Sequence, residues 1–218
     1  MNRPRLLDLF SGAGGAAMGY HRAGFDVVGV DNAPQPNYPF PFELADAMTF
    51  PLDGYDAIHA SPPCQAYSIT KNAHGREHPM LVEPVRFRLA GSGLPWVIEN
   101  VPGAPLLDPV TICGSMFDLR AWDYYINQMV QLRRHRLFES SVALVAPGPC
   151  RHVKGMRVGG VYGGAWPKNR STDPTVKRTG GYTPPDDVQR SSWASTGCLG
   201  SRSLSPSPLP TPSGSAPN

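Results

Sequence analysis

The sequence predicts an α/β fold with a mostly parallel sheet of the nucleotide-binding type, and three observations point that way. Short apolar runs with strand character alternate with helix-spaced stretches, the pattern of βαβ units. The first of these runs leads straight into a glycine turn, Ser11-Gly12-Ala13-Gly14-Gly15, and the second ends in an acid, Asp31. A chain of 218 residues and 23.5 kDa is long enough for one such domain with a real core and too short for two large ones.

Each element follows in order. Arg5–Phe10 reads as a buried strand, and Ala16 to Ala23 after the glycine turn as a short helix of small residues with Met18. Asp26–Asp31 is a second strand. Tyr55–Ala60 is a third, running into Ser61-Pro62-Pro63-Cys64-Gln65. From Met80 to Ala90 the apolar residues Leu81, Val85 and Leu89 keep helical spacing, and Pro84 is expected to kink that helix or delay its start. Pro95–Ile98 is another strand, entering Glu99-Asn100-Val101-Pro102. Beyond Asp108 the pattern loosens, with short strands expected at Val110–Cys113 and Arg136–Phe138.

Charge is unevenly spread. Residues 1–132 hold 8 Lys/Arg and 13 Asp/Glu, whereas residues 133–178 hold 10 and 2. A basic stretch following an acidic body suggests a surface that faces a polyanion. No apolar run reaches the ~18–20 residues of a membrane span, and Asp8 interrupts the apolar start, so neither a membrane segment nor a signal peptide is expected. Cys64, Cys113, Cys150 and Cys198 lie too far apart for a disulfide framework, which favours a reducing interior. Cys113, Cys150 and His152 lack the paired spacing of zinc ligands, and no metal is expected. Residues 201–218 hold 6 Ser and 5 Pro with one charge, Arg202, the composition of a disordered tail.

Chemistry concentrates where strands end. Glycines let a backbone approach a ligand closely, the N-terminus of the following helix offers free N–H groups, and an acid at the end of the next strand can accept hydrogen bonds from ribose hydroxyls. The spacing Gly12-Ala13-Gly14-Gly15 is not the Gly-x-Gly-x-x-Gly of a dinucleotide fold. Cys64 sits on a loop stiffened by two prolines, either as a nucleophile or as an inert buried thiol. Glu99 brings a carboxylate to the same edge, as a proton donor or as a salt-bridged group. Arg134 and Arg136 alternate along a strand and so share one face.

Taken together, Asp8-Leu9-Phe10-Ser11-Gly12-Ala13-Gly14-Gly15, then Pro62-Pro63-Cys64-Gln65, then Glu99-Asn100-Val101 and then the doubled arginine motif resemble the DNA cytosine carbon-5 methyltransferases, most of all the small phage-type DNA methylases. The resemblance spans residues 5–138 and implies a class I S-adenosylmethionine-dependent methyltransferase fold, Rossmann-like with a mostly parallel sheet. It puts Phe10 against the adenine, Gly12 and Gly14 in the methionine-binding loop, Asp31 on the ribose and Asp46 at the adenine amino group. It makes Cys64 the nucleophile, Glu99 the group at cytosine N3, and Arg134 and Arg136 the family's two arginines. The glutamine that usually opens the arginine motif falls on Leu132, with Gln131 one place off.

The implied cofactor is S-adenosylmethionine and the implied partner double-stranded DNA, for a monomer working in the cytoplasm of a bacterial or phage-infected cell. The resemblance divides the chain into a cofactor-binding and catalytic domain (1–138), a small basic, glycine-rich target-recognition region (139–190) and the tail (191–218). Family members carry a closing segment after the recognition region, which is not recognisable here. With suitable codons, the bases of Arg190–Cys198 read one position earlier give Glu-Leu-Leu-Gly-Ile-Asp-Trp-Met, so residues 191–218 are expected to be out of frame. The alternatives are a remnant that binds DNA or cofactor without turnover, or a methyltransferase acting on RNA cytosine by the same chemistry.

Overall fold

The computed structural model describes residues 2–67 and 78–159. The expected tail and most of the expected recognition region lie outside them.

Strand β1 (Arg5–Leu9) buries Leu6, Leu7, Asp8 and Leu9 alike, because it is the central strand of a parallel sheet covered on both faces. Helix α1 (Gly15–Arg22) follows the glycine turn, then β2 (Asp26–Asp31), β3 (Phe42–Leu44), β4 (Ala57–Ala60), α2 (Val82–Ala90) and β5 (Trp96–Asn100). Next come β6 (Val110–Cys113), a 3-10 turn at Gly114–Phe117, β7 (Arg120–Asp123), β8 (Gln128–Leu132), β9 (His135–Ser140) and β10 (Arg157–Gly159). The seven-stranded sheet has the order β3-β2-β1-β4-β5-β9-β6. Its first five strands are parallel, and β9 runs antiparallel between β5 and β6. That is the Rossmann-like, mostly parallel sheet of the class I methyltransferase fold expected from the sequence. A second sheet of three strands, β10-β8-β7, stands apart from it.

Alternation along the strands sorts the core into two layers. Leu7, Leu9, Ile58, Ala60 and Ile98 meet Val85 and Leu89 of α2, while Leu6 and Val27 meet Ala17 of α1. Pro84 falls in the first turn of α2, where its missing N–H has no intrahelical partner to lose, so it sets the helix start. β3, β7, β8 and β10 were not expected from the sequence. β3 and β10 have three residues each, and β8 buries Gln131 between Val130 and Leu132.

The α1 face carries a buried polar layer. Asp8 and His59 are register partners on β1 and β4. The Tyr38 hydroxyl donates to Asp8 Oδ2 at 3.1 Å, and His59 contacts the Tyr20 hydroxyl at 3.1 Å and Ser61 Oγ at 2.8 Å. Room for Tyr38 exists because β2 has Gly29 opposite Asp8: a Cβ there would lie 2.3 Å from the Tyr38 ring.

Burial pushes the Asp8 carboxyl up to about 7, with the Tyr38 hydrogen bond opposing and the Asp31 charge adding. Burial alone pushes His59 down to about 4. The two groups act on stability in opposite senses. The Asp8 contribution is complete below about pH 4 and gone above about 7, because the unfolded carboxyl ionises first. The His59 contribution is complete above about pH 6.5 and lost as the pH falls towards 4. Asp8→Asn removes the first effect and leaves the second. In urea unfolding at successive pH values, the stability of Asp8→Asn relative to the parent should rise between pH 4 and 7, by at most about 4 kcal/mol. A difference that stays constant with pH would contradict the buried neutral carboxyl.

Candidate active site

Parallel strands bring their carboxyl ends to one edge, and ligands in open α/β sheets bind in the crevice outside that edge. Here it opens into a cavity of about 940 Å³. Phe10, Asp31, Asp46, Cys64, Glu99, Arg134 and Arg136 all line it. Seven of the nine residues singled out from the sequence therefore meet around one space. Gly12 and Gly14 belong to the adjoining turn and are not among the lining residues.

The glycine turn is held by its own backbone. Gly12 N–H donates to Asp31 Oδ2 at 3.0 Å, and Gly14 N–H to the Ser11 carbonyl at 3.1 Å. Gly14 has a φ of 84°, which favours glycine, and a Cβ there would lie 2.8 Å from Pro39 Cδ. At Gly12 a Cβ would meet nothing within 4 Å, so the turn is open on that side. Phe10 takes a φ of 57°, uncommon for an aromatic residue, which turns the chain from the end of β1 into the glycine turn at the cavity wall. Asp31 uses one oxygen on Gly12 and the other on Ala33 N–H at 3.0 Å, leaving further acceptor capacity on both. Asp46 caps its own turn through Met48 N–H at 2.8 Å.

Cys64 is half-buried in the loop after β4. Two contacts fix that loop. Buried Asn100 donates from Nδ2 to the Pro62 carbonyl at 2.9 Å, and Tyr67 N–H donates to the Cys64 carbonyl at 3.0 Å. Asn100 thus ties the Pro-Pro-Cys loop to the end of β5, beside Glu99.

Glu99 forms an ion pair with Arg136, with Oε1 to Nε at 2.6 Å. The antiparallel register of β9, which sets Glu99 against Phe138 and Asn100 against Leu137, brings Arg136 within reach. Burial raises the Glu99 pKa above the ordinary carboxylate value, while the charges of Arg136 and Arg134 and hydrogen bonds from Ser61 and Arg136 pull it down without cancelling the rise. Such a carboxyl can hold a proton more readily than a free one and still sits against two cations. Arg136 and Arg134 face the cavity, as their alternation predicts.

Arg133, which belongs to the same basic run, is used differently. Its guanidinium donates to Gln131 Oε1 at 2.9 Å and to the carbonyls of Val153 and Met156, so it fastens a later loop. Gln131 itself is fully buried and donates to the Arg151 carbonyl at 2.8 Å. The sequence displacement of that glutamine therefore coincides with a structural role outside the cavity. Sequence reasoning also passed over His135, whose imidazole meets Cys150 on the opposite side of β9, and over the pairing of Asp8 with His59 in the cavity wall. Only the proximity of strands, not residue spacing, brings these groups together.

Replacing Arg136 by Gln removes the first of the influences that hold the Glu99 pKa down and leaves burial. The Glu99 carboxyl should then titrate at higher pH than in the parent, read from the side-chain carboxyl resonance by carbon-13 NMR. An unchanged or lower midpoint would contradict the ion pair.

Comparison with known proteins places this geometry. Residues 4–104 match the family model of C-5 cytosine-specific DNA methylases, a stretch that includes every cavity residue named above except Arg134 and Arg136. The type II methyltransferase M.AquIA of Picosynechococcus sp. is 32% identical, over 45% of this chain and 49% of its own. The chain thus spans about half the length of the curated relative it matches. Among solved structures, an S. pombe Dnmt2 methyltransferase superimposes with a TM-score of 0.42 at 16% identity, covering 66% of this chain and 52% of that one. A putative S-adenosylmethionine-dependent methyltransferase from Listeria monocytogenes gives 0.33 at 15% identity, over 45% and 48%. The region that carries the glycine turn, Cys64 and Glu99 is thus similar to the C-5 cytosine-specific DNA methylases.

Proposed function

We propose that the protein transfers a methyl group from S-adenosylmethionine to carbon-5 of a cytosine in DNA, with Cys64 as nucleophile. The observation that carries this reading is the meeting of Cys64, Glu99 and Arg136 with Phe10, Asp31 and Asp46 around one cavity. In this reading Cys64 and Glu99 serve as nucleophile and proton donor, and Phe10, Asp31 and Asp46 form the nucleoside site.

The cofactor fits the residues present. Phe10 offers an aromatic face for an adenine, Asp31 retains acceptor capacity for ribose hydroxyls, and Asp46 can accept from an exocyclic amine. The open side of Gly12 and the N-terminus of α1 suit the methionine carboxylate. When bound, S-adenosylmethionine supplies an electrophilic sulfonium methyl group.

The remaining chemistry falls to this chain. Carbon-5 of cytosine is a weak nucleophile. The Cys64 thiolate adds at carbon-6, and electron density that would collect on the ring is taken up at N3 by a proton or strong hydrogen bond from Glu99. Arg136 holds Glu99 in place and can support the cytosine O2. The enamine so formed is nucleophilic at carbon-5 and accepts the methyl group. Loss of the carbon-5 proton and elimination of the thiolate restore the aromatic base and free Cys64. A stacked base cannot reach such a cavity, so the target cytosine has to be flipped out of the helix.

The basic residues from 133 onwards would meet phosphates, which makes binding fall with salt. Arg151 and Lys154 are exposed members of that run among the described residues. In this reading, target selection falls to residues 139–190.

The test is nucleoside mass spectrometry of DNA from a host without cytosine methylases of its own. Cells expressing the full chain should accumulate 5-methylcytosine, and Cys64→Ala should bring it to background. Glu99→Gln should slow the purified protein about a hundred- to ten-thousand-fold. Soluble, folded protein that gives no 5-methylcytosine in DNA, or that marks only RNA, would overturn the reading.

A further inference from the structure

Cys113, His135, Cys150 and His152 come together on the face of β9 turned away from the cavity. Cys113 ends β6, and His135 opens β9 directly opposite it in the antiparallel register. Cross-strand partners of this kind point to the same face. Arg136, one residue on, therefore points to the other, where the cavity lies. Cys150 and His152 arrive two residues apart from the loop after β9.

The four candidate donor atoms all lie within 4.8 Å of one another. Sulfur and imidazole nitrogen alternate: Cys113 Sγ is 3.5 Å from His152 Nε2, and Cys150 Sγ is 3.3 Å from His135 Nε2. In a tetrahedral zinc site, Zn–S bonds of about 2.3 Å and Zn–N bonds of about 2.0–2.1 Å put sulfur and nitrogen about 3.6 Å apart. The two imidazole rings stand edge to face at 5.3 Å, with an interplanar angle of 79°, so both can aim a nitrogen at a common centre.

The surroundings are built to hold the ligands. Fully buried Ser115 donates its hydroxyl to Cys113 Sγ at 3.2 Å and accepts Arg151 N–H at 3.2 Å, joining the first ligand to the loop of the last two. Fully buried Gln131 accepts Val153 N–H at 3.2 Å and donates to the Arg151 carbonyl at 2.8 Å. Such outer contacts orient a ligand set and are what a metal centre requires beyond its donors.

We propose that these four residues form a structural Cys2His2 zinc site that clamps the loop carrying Cys150 and His152 to the back of β9. Four protein donors fill the coordination of zinc, which leaves no position for a substrate and marks the site as structural. Two thiolates balance the charge of the ion in the most basic part of the chain. The clamp acts on the strand whose other face presents Arg136 to Glu99, and it stands independently of the reaction assigned to the cavity.

The experiment uses the full, tag-free chain purified under reducing conditions without chelator. Elemental analysis should find about one zinc per chain. Cys150→Ser and His152→Ala, both at exposed positions, should lose it, whereas Cys64→Ala should keep it. Because a variant can fail to fold, the metal-stripped parent is also titrated with cobalt(II). Tetrahedral ligand-field bands with thiolate-to-cobalt charge transfer are expected, and His152→Cys should strengthen the charge-transfer band. Zinc well below stoichiometry together with no tetrahedral cobalt spectrum would overturn the site. So would full zinc retention in Cys150→Ser, or a Cys113–Cys150 disulfide found by peptide mapping of the reduced preparation.

Discussion

The arrangement depends above all on the antiparallel insertion of β9 between β5 and β6. A parallel sheet alone delivers strand ends to one edge, and that suffices for Phe10, Asp31, Cys64 and Glu99. It does not supply a cation opposite Glu99. β9 runs the other way, so its beginning meets the end of β5, and the register of Glu99 with Phe138 brings Arg136 to 2.6 Å from the carboxylate. Glu139, one step further along β9, is buried and held by Arg86 of α2 at 2.6 Å and by Leu107 N–H at 2.9 Å. Residues facing opposite ways on one strand are thus fixed by separate ion pairs, and the strand has little freedom to slip, since a shift of one residue would exchange its faces.

Electrostatics at the site follow from that placement. A carboxyl buried without a partner would stay neutral, and one beside a cation in water would stay ionised. Glu99 lies between these limits, since burial outweighs two arginines and the Ser61 and Arg136 hydrogen bonds without removing them. The same balance recurs two strands away on the same sheet with different chemistry. At Asp8 the Tyr38 hydroxyl opposes burial, and burial pushes the carboxyl up to about 7. Both carboxyls line the same cavity, and they differ in partners: arginines beside Glu99, a tyrosine hydroxyl beside Asp8.

Much of the fold was legible because its central strands are buried on both faces and mostly apolar. β1 and β2 read directly from Arg5–Leu9 and Asp26–Asp31, and Pro84 marked the start of α2 through backbone chemistry alone. The short edge and outlying strands β3, β7, β8 and β10 were not legible, since three to five residues on a partly exposed surface carry no period. The cavity residues were legible as motifs at strand ends, but their partners were not. Nothing in the spacing of Glu99 and Arg136 says that they touch. Gly12 and Gly14 lie in the turn between β1 and α1 and are not among the residues that line the cavity.

The cysteines show the same limit more sharply. Zinc ligands are read from sequence when a turn supplies them in close pairs, because a short loop guarantees their proximity. Cys113 and His135 are 22 positions apart and are neighbours only because β6 and β9 pair in register. Cys150 and His152 complete the group only because Ser115, Gln131 and Arg133 fasten their loop to the same strands. Each of these contacts is made by a residue whose own neighbours in sequence face the cavity or the core. One strand therefore serves two clusters through alternation, Arg136 on one side and His135 on the other, and whatever fixes the position of either fixes the position of both.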